Sequence, residues 1–460
     1  MADCSTFVKA DTPGSAPQTS KIDAQSILEE FRHRYTERNA LSLAQFKQDA
    51  IYMPGANTRS VLHALPFPMV IARGQATTVW SVDGHSYIDF LSEYSAGLYG
   101  HSCERIWTAV NNAMKKGWNL GGKNEYEGKL AQMLVERFGN SMDMIRFCNS
   151  GTEANLMAIG TAIAYTGKQK ILCFLGGYHG SSISFPETSP CYTMNPKYEF
   201  VLAPYNDILA TDAVVEALPP NSLAAIIVEG MQGAGGCIPG RPDFMQHLQK
   251  LASEHGALFI LDEVMTSRLA YGGLQSTLGI KPDITTLGKW PGGGFSFGAF
   301  GGRHAVMEML DPSAKKLVHS GTFNNNTISM AGGIEGCNIF DREAVKGLND
   351  LGDTLRQRIA DVLKQRLGHR NTSDCNEQAN GAVGSAPKIY ISGVGSLMNV
   401  TFTGANKDIL QAIFYHYMLE QGLYVATRGY VALNLETKVE HLDIFVRAIE
   451  KFVTDYQDLL

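Results

Sequence analysis

One lysine of the sequence stands in an unusual setting. In "TTLGKWPGGGFSFGAFGG", Lys289 follows a short β-branched run and directly precedes a cluster of glycines. A lysine there could form a salt bridge, clamp a phosphate or act as a nucleophile. Burial lowers the pKa of a lysine and frees its amine to attack carbonyl groups. The residues that the fold brings near Lys289 must decide between these roles.

A carboxylate ends another apolar run of the sequence. In "ALFILDEV", five apolar residues lead into Asp262 and Glu263. A carboxylate at the end of a buried strand is costly unless it meets a cation, which could be a metal ion, an arginine or a protonated ring nitrogen. A metal is disfavoured, because no His, Asp and Glu cluster with ligand spacing lies near this point in the sequence.

Two further stretches could hold parts of a ligand. In "NSGTEANLMA", Ser150, Gly151 and Thr152 open a predicted helix, with Glu153 placed to complete an S-x-x-E capping box. Such a helix start also offers N–H donors and a positive dipole to a phosphate. In "LGGYHG", the paired glycines bring Tyr178 to the end of the preceding strand, where it could stack on a planar ring or simply pack a turn.

Two common nucleotide-binding patterns are excluded. "LFILDE" resembles a Walker-B strand, but the chain contains no G-x-x-x-x-G-K-[ST] segment, and the glycines of 292–302 lack the G-x-G-x-x-G spacing. A phosphate site, a stacking aromatic, an acid for a ring nitrogen and a nucleophilic lysine are instead the contacts that pyridoxal phosphate requires. Their combination, more than any one of them, predicts this cofactor.

The elements that must position these residues alternate along the chain. From about residue 104 to 300, predicted helices separate the apolar runs "KILCFLGG", "LAAIIVEG", "ALFILDEV" and "DITTLGK". Such runs predict an α/β fold with a mostly parallel sheet that is buried on both faces. Ligands bind beyond the carboxyl ends of such strands, where Tyr178, Glu229, Asp262 and Lys289 would meet. Upstream, Asp83 and Gly84 predict the turn of a β-hairpin.

The 460 residues predict more than one domain. We expect a disordered leader over 1–22, and a large cofactor-binding domain over 81–330. A small α+β domain would combine 23–80 with 331–460, with a flexible loop at about 370–387.

Composition narrows the choice of partners and location. The net charge is -6, and the chain has no long block of Lys and Arg and no apolar run of membrane-spanning length. We therefore expect neither a nucleic-acid partner nor a membrane. The eight cysteines are scattered, without metal-ligand spacing. They are typical of reduced thiols, and with no signal peptide they predict a cytoplasmic protein.

From about Tyr52 to Arg428, the chain resembles the class III (subgroup II) pyridoxal-phosphate aminotransferases of fold type I. The resemblance rests on "NSGTEANLMA", "GGYHG", "LDEVMTSRLAYGG", "TTLGKWPGGGFSFGAFGG" and "HSGTFNNN". Within the class, "YMPGANTRSV" and "PFPMVIARG" are most similar to the β-amino-acid aminotransferases of the β-phenylalanine type. The chain is also similar to (S)-selective amine transaminases and to glutamate-1-semialdehyde aminomutase.

The resemblance implies a role for each matching residue. Lys289 would bind the cofactor's aldehyde and later shuttle the substrate's proton, and Asp262 would keep the pyridine nitrogen protonated. Tyr178 and Val264 would pack on opposite faces of the ring. The phosphate would lie against Ser150, Gly151 and Thr152. Thr322 of the neighbouring subunit would also reach that phosphate, which implies a homodimer with shared active sites.

The resemblance further implies that Arg59 and Arg428 handle substrate carboxylates, for which the planar guanidinium is suited. The donor would be a β-amino acid or an aryl-alkyl amine. The acceptor would be a keto acid such as 2-oxoglutarate or pyruvate, reacting by a ping-pong route. The alternatives are an aminomutase and a non-catalytic binding protein. Two positions depart from the family, Gly230 and the pair Trp290 and Pro291, and we expect the pair to influence substrate preference.

Overall fold

The protein is described by a computed structural model that covers residues 23–186, 193–368 and 388–460. The predicted leader, 1–22, and the predicted loop, 370–387, lie outside the described residues.

The strands of the described residues follow the chain in this order: β1 Ile71–Gln75, β2 Thr78–Ser81, β3 Ser86–Asp89, β4 Met144–Cys148, β5 Lys170–Phe174, β6 Glu199–Ala203, β7 Leu223–Glu229, β8 Met231–Gln232, β9 Ile238–Pro239, β10 Leu258–Asp262, β11 Ile284–Gly288, β12 Gly298–Gly302, β13 Ile389–Val394, β14 Leu397–Phe402, β15 Leu423–Tyr424 and β16 Tyr430–Ala432.

The α-helices between them are α1 Ala24–Arg38, α2 Ala40–Asp49, α3 Glu104–Met114, α4 Glu125–Arg137, α5 Gly151–Thr166, α6 Ile208–Glu216, α7 Pro242–Glu254, α8 Gln275–Leu278, α9 His304–Met307, α10 Thr327–Ile339, α11 Arg342–Leu367, α12 Lys407–Glu420 and α13 Val439–Asp455.

The largest sheet has seven strands in the order β4-β12-β11-β10-β7-β5-β6. β12 alone runs antiparallel to both of its neighbours, and the other pairings within the sheet are parallel. The four apolar runs of the sequence form β5, β7, β10 and β11, which lie side by side. The predicted α/β fold with a mostly parallel sheet is therefore confirmed.

Burial explains why these runs are continuously apolar. Every residue of β7, β10 and β11 is buried, since the sheet is covered on both faces. In such strands alternate residues face opposite layers of the core, so both faces favour apolar side chains. The carboxylates of these strands stand at the carboxyl ends, where β7 ends at Glu229 and β10 at Asp262.

Two smaller sheets combine distant parts of the chain. β1, β2 and β3 form a meander that β15 extends, so 71–89 pairs with a segment more than 300 residues later. β13, β14 and β16 form a separate antiparallel sheet. The predicted hairpin is confirmed, with Gly84 in the left-handed region at φ 85°. Because this hairpin joins β2 to β3, it crosses the predicted domain boundary at residues 80 and 81, and the domain division itself stays a prediction.

Candidate active site

Lys289 comes directly after β11 and has a left-handed backbone, with φ 68°. Its Nζ donates hydrogen bonds to the carbonyl oxygen of Tyr94 at 2.7 Å and to the Oγ of Ser95 at 3.1 Å. Burial lowers the pKa of this amine to about 8, against the opposing effect of the Asp262 charge. Among the described residues no carboxylate forms an ion pair with Lys289, so the amine is available as a nucleophile.

The partners of Lys289 belong to a turn with an uncommon backbone. Ser92, Glu93, Tyr94 and Ser95 all have positive φ, between 45° and 77°. Consecutive left-handed residues other than glycine are strained, and such strain persists only where surrounding contacts impose it. Asn434 supplies one such contact, because its Nδ2 donates to Ser92 Oγ at 3.0 Å. We call residues 92–95 the left-handed turn.

Asp262 ends β10 and is almost fully buried. Its Oδ2 accepts hydrogen bonds from Asn155 Nδ2 at 2.8 Å and from His179 Nδ1 at 2.9 Å, and its Oδ1 accepts one from the backbone N–H of Val264 at 2.9 Å. Asn155 also accepts a hydrogen bond from Thr286 Oγ1 at 2.7 Å. The carboxylate is thus held by groups from α5, the loop after β5 and the segment directly after β10.

Burial also shifts the pKa values of Glu229 and His179, which lie close to Asp262. Burial raises the pKa of Glu229 to about 7, although its carboxylate accepts hydrogen bonds from the backbone N–H groups of Tyr178 and Gly233. Burial lowers the pKa of His179, but its hydrogen bond to Asp262 and the charges of Asp262 and Glu229 together outweigh this effect, so the net shift of the pKa is upward. His179, held in this way, fixes the orientation of the Asp262 carboxylate.

The start of α5 has the features of an anion site. Ser150 caps the helix, with its Oγ accepting from Glu153 N at 3.2 Å. The predicted capping box forms only in part, because the Glu153 carboxylate accepts from Asn149 N at 2.9 Å instead of from Ser150 N. The N–H groups of Gly151 and Thr152 lie in the first turn, where no intrahelical partner exists. They can bind a phosphate.

Close packing joins the helix start to its neighbours. A Cβ atom added at Gly151 would lie 2.7 Å from both Cγ atoms of Val264, and one added at Gly180 would lie 2.2 Å from Thr152 Oγ1. Only glycine therefore lets the helix start approach the segment after β10 and the loop that carries Tyr178. The ring of Tyr178 is 46% exposed, so one part of it is free to contact a ligand.

Both predicted substrate arginines lie beside Tyr94. The guanidinium carbon of Arg59 is 5.5 Å from the centre of the Tyr94 ring, and that of Arg428 is 5.8 Å from it. Arg59 forms an ion pair with Glu93, whereas Arg428 donates to the carbonyl oxygen of Ala234 at 3.1 Å. Because Tyr94 O also accepts from Lys289, one residue links both arginines to the reactive amine.

Comparisons with known proteins agree with this geometry. Residues 61–453 match the family Aminotransferase class-III. The chain belongs to the class-III aminotransferases. The beta-phenylalanine transaminase of Variovorax paradoxus is 44% identical to it over 447 residues, which span 95% of this chain and 98% of that protein. The predicted family is confirmed.

A solved structure and a second relative extend the comparison to the fold and to the aminomutases. A crystal structure of a beta-phenylalanine aminotransferase from Variovorax paradoxus superposes with a TM-score of 0.86 at 43% identity, covering 95% of this chain and 99% of that one. The glutamate-1-semialdehyde 2,1-aminomutase of Methanothrix thermoacetophila is 32% identical over 402 residues, or 82% of this chain and 88% of that protein. The chain therefore has the type I fold of pyridoxal-phosphate enzymes and is a pyridoxal-phosphate-dependent aminotransferase.

The residues of this aminotransferase fit its cofactor. A primary amine of lowered pKa, a buried carboxylate fixed by three donors and a helix start with unpaired N–H groups match the aldehyde, ring nitrogen and phosphate of pyridoxal 5'-phosphate. The described residues contain no cluster of three or more His, Cys, Asp or Glu side chains that could hold a metal ion.

Trp290 packs in the core of the protein. Its indole is buried, donates to Ser267 Oγ at 2.9 Å, and packs against Phe340 with ring centres 5.1 Å apart and under the guanidinium of Arg137. Trp290 therefore anchors the segment after Lys289 to the core. The expected influence of Trp290 and Pro291 on substrate preference stays a prediction. Gly230 is likewise packed, since an added Cβ would lie 3.0 Å from Leu274.

Thr322 is exposed in the single chain. Two residues later, Asn324 Oδ1 accepts a hydrogen bond from Asn149 Nδ2 at 3.1 Å, which places this segment beside the start of α5. The contact between Thr322 and a neighbouring subunit's phosphate stays a prediction.

Sequence reasoning missed several residues of the site. Asn155 and His179, which hold Asp262, lie within the recognised motifs but carry no signal of that role. The left-handed turn lies 194 residues before Lys289 and contains neither glycine nor a known motif, so nothing in the sequence pointed to it. A third missed residue is Arg268, a fully buried guanidinium that donates to the carbonyl oxygens of Ser95 and Leu433.

Proposed function

We propose that this aminotransferase moves the amino group of an aromatic β-amino acid to a keto acid by a ping-pong reaction. The observation that carries the proposal is the state of Arg428. Its Nε is buried without a partner, and among the described residues no carboxylate forms an ion pair with it. A cation left unpaired near the reactive lysine suits a donor that brings a carboxylate, and so favours an amino acid over a simple amine.

The surroundings of Arg428 suit an aromatic donor as well. The rings of Tyr94 and Tyr430 stack with centres 5.9 Å apart and planes 10° from parallel, and the Arg428 guanidinium lies 5.3 Å from the centre of the Tyr430 ring. Tyr430 is fully buried, so Tyr94, which is partly exposed, would offer aromatic surface to an aryl group. The similarity to the Variovorax paradoxus beta-phenylalanine transaminase supports the same choice of donor.

The chemistry that the cofactor supplies is an aldehyde for the amino nitrogen and a ring that withdraws electrons from the adjacent carbon. We assign the remaining work to the residues of the chain. Asp262 would hold a proton on the ring nitrogen, because Asn155 and His179 keep its charge in place. Lys289 would carry the substrate's proton on Nζ, since its lowered pKa allows the amine to gain and lose a proton near neutral pH. Tyr178 and Val264 would confine the ring, and Glu229 would fix the Tyr178 loop.

A donor panel tests this proposal. We expect the holoenzyme to use (S)-β-phenylalanine with a higher kcat/KM than either 1-phenylethylamine or alanine, with 2-oxoglutarate or pyruvate as acceptor. Equal rates with the amine that lacks a carboxylate would contradict the role of Arg428. Complete turnover of glutamate 1-semialdehyde without an added keto acid would instead establish an aminomutase, and no turnover of any donor would favour a non-catalytic protein.

We also propose that two copies of the chain form a homodimer with shared active sites. Large apolar side chains near Thr322 are exposed: Trp107 is 67%, Phe295 39% and Phe323 58% accessible. Phe295 lines one cavity with Trp107 and another with Phe323, so the three belong to one surface. Apolar patches of this kind are typical of interfaces, and a second copy would also bring Thr322 to its predicted place.

Light scattering, which measures the mass in solution, tests the assembly. We expect a mass of twice the 50.1 kDa chain, and we expect Trp107→Glu to shift it towards the monomer. A monomeric active enzyme would contradict the proposal. In the described residues no helix is long and apolar enough to cross a membrane, and a cytoplasmic location stays a prediction from the sequence.

A further inference from the structure

Arg268 is a buried cation beside the left-handed turn. It ends a short helical turn, Thr266–Arg268, that closely follows Asp262 and Val264 in the chain. Its side chain is fully buried, its Nε has no partner, and no carboxylate of the described residues forms an ion pair with it. Burial lowers the pKa of this guanidinium to about 10, so the group still carries its charge at neutral pH.

The hydrogen bonds of Arg268 join two segments that are far apart in the chain. Its Nη1 donates to the carbonyl oxygen of Ser95 at 3.3 Å, and its Nη2 donates to the carbonyl oxygen of Leu433. A buried charge without a counter-ion is costly, and a well-packed apolar side chain often stabilises a core equally well or better. The planar fork of arginine, however, can hold two acceptors at a fixed separation.

The segment 432–434 also holds the other end of the left-handed turn. Ser92 Oγ donates to the carbonyl oxygen of the first residue of this segment at 2.9 Å and accepts from Asn434 Nδ2 at 3.0 Å. Arg268 connects the middle residue of the same segment to Ser95, the last residue of the turn. Both ends of the turn are therefore tied to one segment, directly at Ser92 and through Arg268 at Ser95.

The same turn receives the reactive amine. Lys289 Nζ donates to two acceptors of the left-handed turn, one of which is Ser95 Oγ at 3.1 Å, so Lys289 and Arg268 bind the same serine. Ser267, the residue before Arg268, accepts a hydrogen bond at 2.9 Å from the indole of Trp290, which follows Lys289. Two adjacent residues thus fix the chain after the lysine and an acceptor of its amine.

We propose that Arg268 is a positioning residue for the reactive lysine. By tying Ser95 to Leu433, it keeps the Ser95 hydroxyl and the Tyr94 carbonyl oxygen where they accept hydrogen bonds from Lys289. Because the backbone of the turn is strained, it would relax if this contact were lost. The amine would then move relative to the substrate, and a displacement of about 1 Å is enough to slow the reaction strongly. The inference rests on the proposed function, because it takes Lys289 as the carrier of the substrate's proton.

A single half-reaction of the holoenzyme tests the inference. Stopped-flow mixing with saturating (S)-β-phenylalanine, without a keto acid, follows the absorbance of the bound cofactor and yields a rate constant and an amplitude. Arg268→Met keeps the length of the side chain and removes the fork. We expect the rate constant to fall about 10- to 100-fold, with the amplitude and the half-saturating donor concentration unchanged.

A conservative variant provides a second measurement. Arg268→Lys keeps the charge but can reach only one of the two carbonyl groups, so we expect its rate constant to lie between those of the wild type and Arg268→Met. Either variant decides the question if the other fails to fold. A loss of amplitude or of stability with an unchanged rate constant would show a purely structural role and overturn the inference.

A double-mutant cycle tests the route through Ser95. Ser95→Ala removes the hydroxyl that accepts from Lys289 and should by itself lower the rate constant. If Arg268 acts by placing this hydroxyl, the combined variant should be no slower than Arg268→Met alone. Effects that multiply would mean that Arg268 acts by another route, which would contradict the inference.

Arg137 offers a matched control. Its guanidinium is also buried, and it donates to the carbonyl oxygens of Tyr271 and Phe340, which lie outside the left-handed turn. We expect Arg137→Met to lower the free energy of unfolding and to leave the rate constant of the half-reaction unchanged. Equal slowing by Arg137→Met and Arg268→Met would indicate a general loosening of the core and would overturn the positioning role.

The outcomes separate this inference from the proposed function. If β-phenylalanine is not a substrate, the fastest donor of the panel replaces it. A slower half-reaction in Arg268→Met with that donor would leave the role of Arg268 standing while the proposed donor is wrong. If β-phenylalanine is the best donor and Arg268→Met reacts at the wild-type rate, the role of Arg268 is wrong while the proposed function holds.

Discussion

The active site has two sides that are built in different ways. The cofactor side consists of Asp262 with Asn155 and His179, which are buried and fixed by direct hydrogen bonds between regular elements. The side that we propose for the substrate consists of Arg59, Glu93 and Arg428, which are partly exposed and come from loops far apart in the chain. A rigid, dry side suits one permanent ligand, whereas an accessible side with exchangeable ion pairs suits two alternating substrates.

The largest effect is expected where the two sides meet, at Lys289. Lys289→Ala removes the amine that both sides share, so we expect kcat to fall by at least about a thousandfold. The visible absorption of the bound cofactor should also change. Lys281→Ala, an exposed lysine ahead of β11, is the control and should retain full activity. Retention of activity by the Lys289 variant would refute the assignment.

The next largest effect is expected on KM, and it should differ between variants of Arg428 and Arg59. Arg428→Gln would remove the charge-assisted hydrogen bonds that we propose between Arg428 and the substrate carboxylate, so KM should rise about 10- to 100-fold for β-phenylalanine and for both keto acids. Arg59→Gln should raise KM mainly for 2-oxoglutarate. Steady-state kinetics with the three substrates check this, and equal effects of the two variants on all of them would show that the arginines are not specialised.

A smaller effect concerns the protonation of Lys289. The neutral amine reacts with acylating reagents, so labelling of Lys289 in the apoenzyme should rise with pH around a midpoint near 8, well below that of exposed lysines. Asp262 raises this pKa, so Asp262→Asn should move the midpoint to lower pH. Mass spectrometry of the labelled peptide at a series of pH values measures both, and a midpoint near 10.5 would contradict the burial of the amine.

The smallest effect on activity is expected at Trp290. Trp290→Phe loses the hydrogen bond to Ser267 and part of the packing against Phe340, which should lower the free energy of unfolding by about 2 kcal/mol. Because the indole lies in the core, the ratio of kcat/KM between β-phenylalanine and 1-phenylethylamine should stay the same. Denaturant unfolding and the donor panel test both statements, and a changed donor ratio would show that Trp290 influences substrate preference from within the core.

The cofactor side could be predicted from the sequence because its residues end apolar strands. The continuous apolar runs predict buried parallel strands, and the carboxyl ends of such strands lie at one edge of the sheet. Glu229, Asp262 and Lys289 lie at that edge. The left-handed turn could not be predicted in this way. Its backbone is imposed by contacts with residues such as Asn434, and no local preference of Ser, Glu or Tyr favours it. The inward direction of Trp290 was missed for the same reason, since its partners Phe340 and Arg137 are remote in sequence.

Replacing a residue of the left-handed turn with glycine should raise the thermal stability of the protein. Each residue with a Cβ atom there is strained by about 1 kcal/mol or more, and glycine is not. Ser95→Gly would therefore relieve the strain at residue 95, where φ is 77°. The same change would remove the hydroxyl that receives Lys289. Variants with glycine in this segment should therefore be more thermostable but have a lower kcat. Engineering for stability without loss of activity should leave these four positions unchanged.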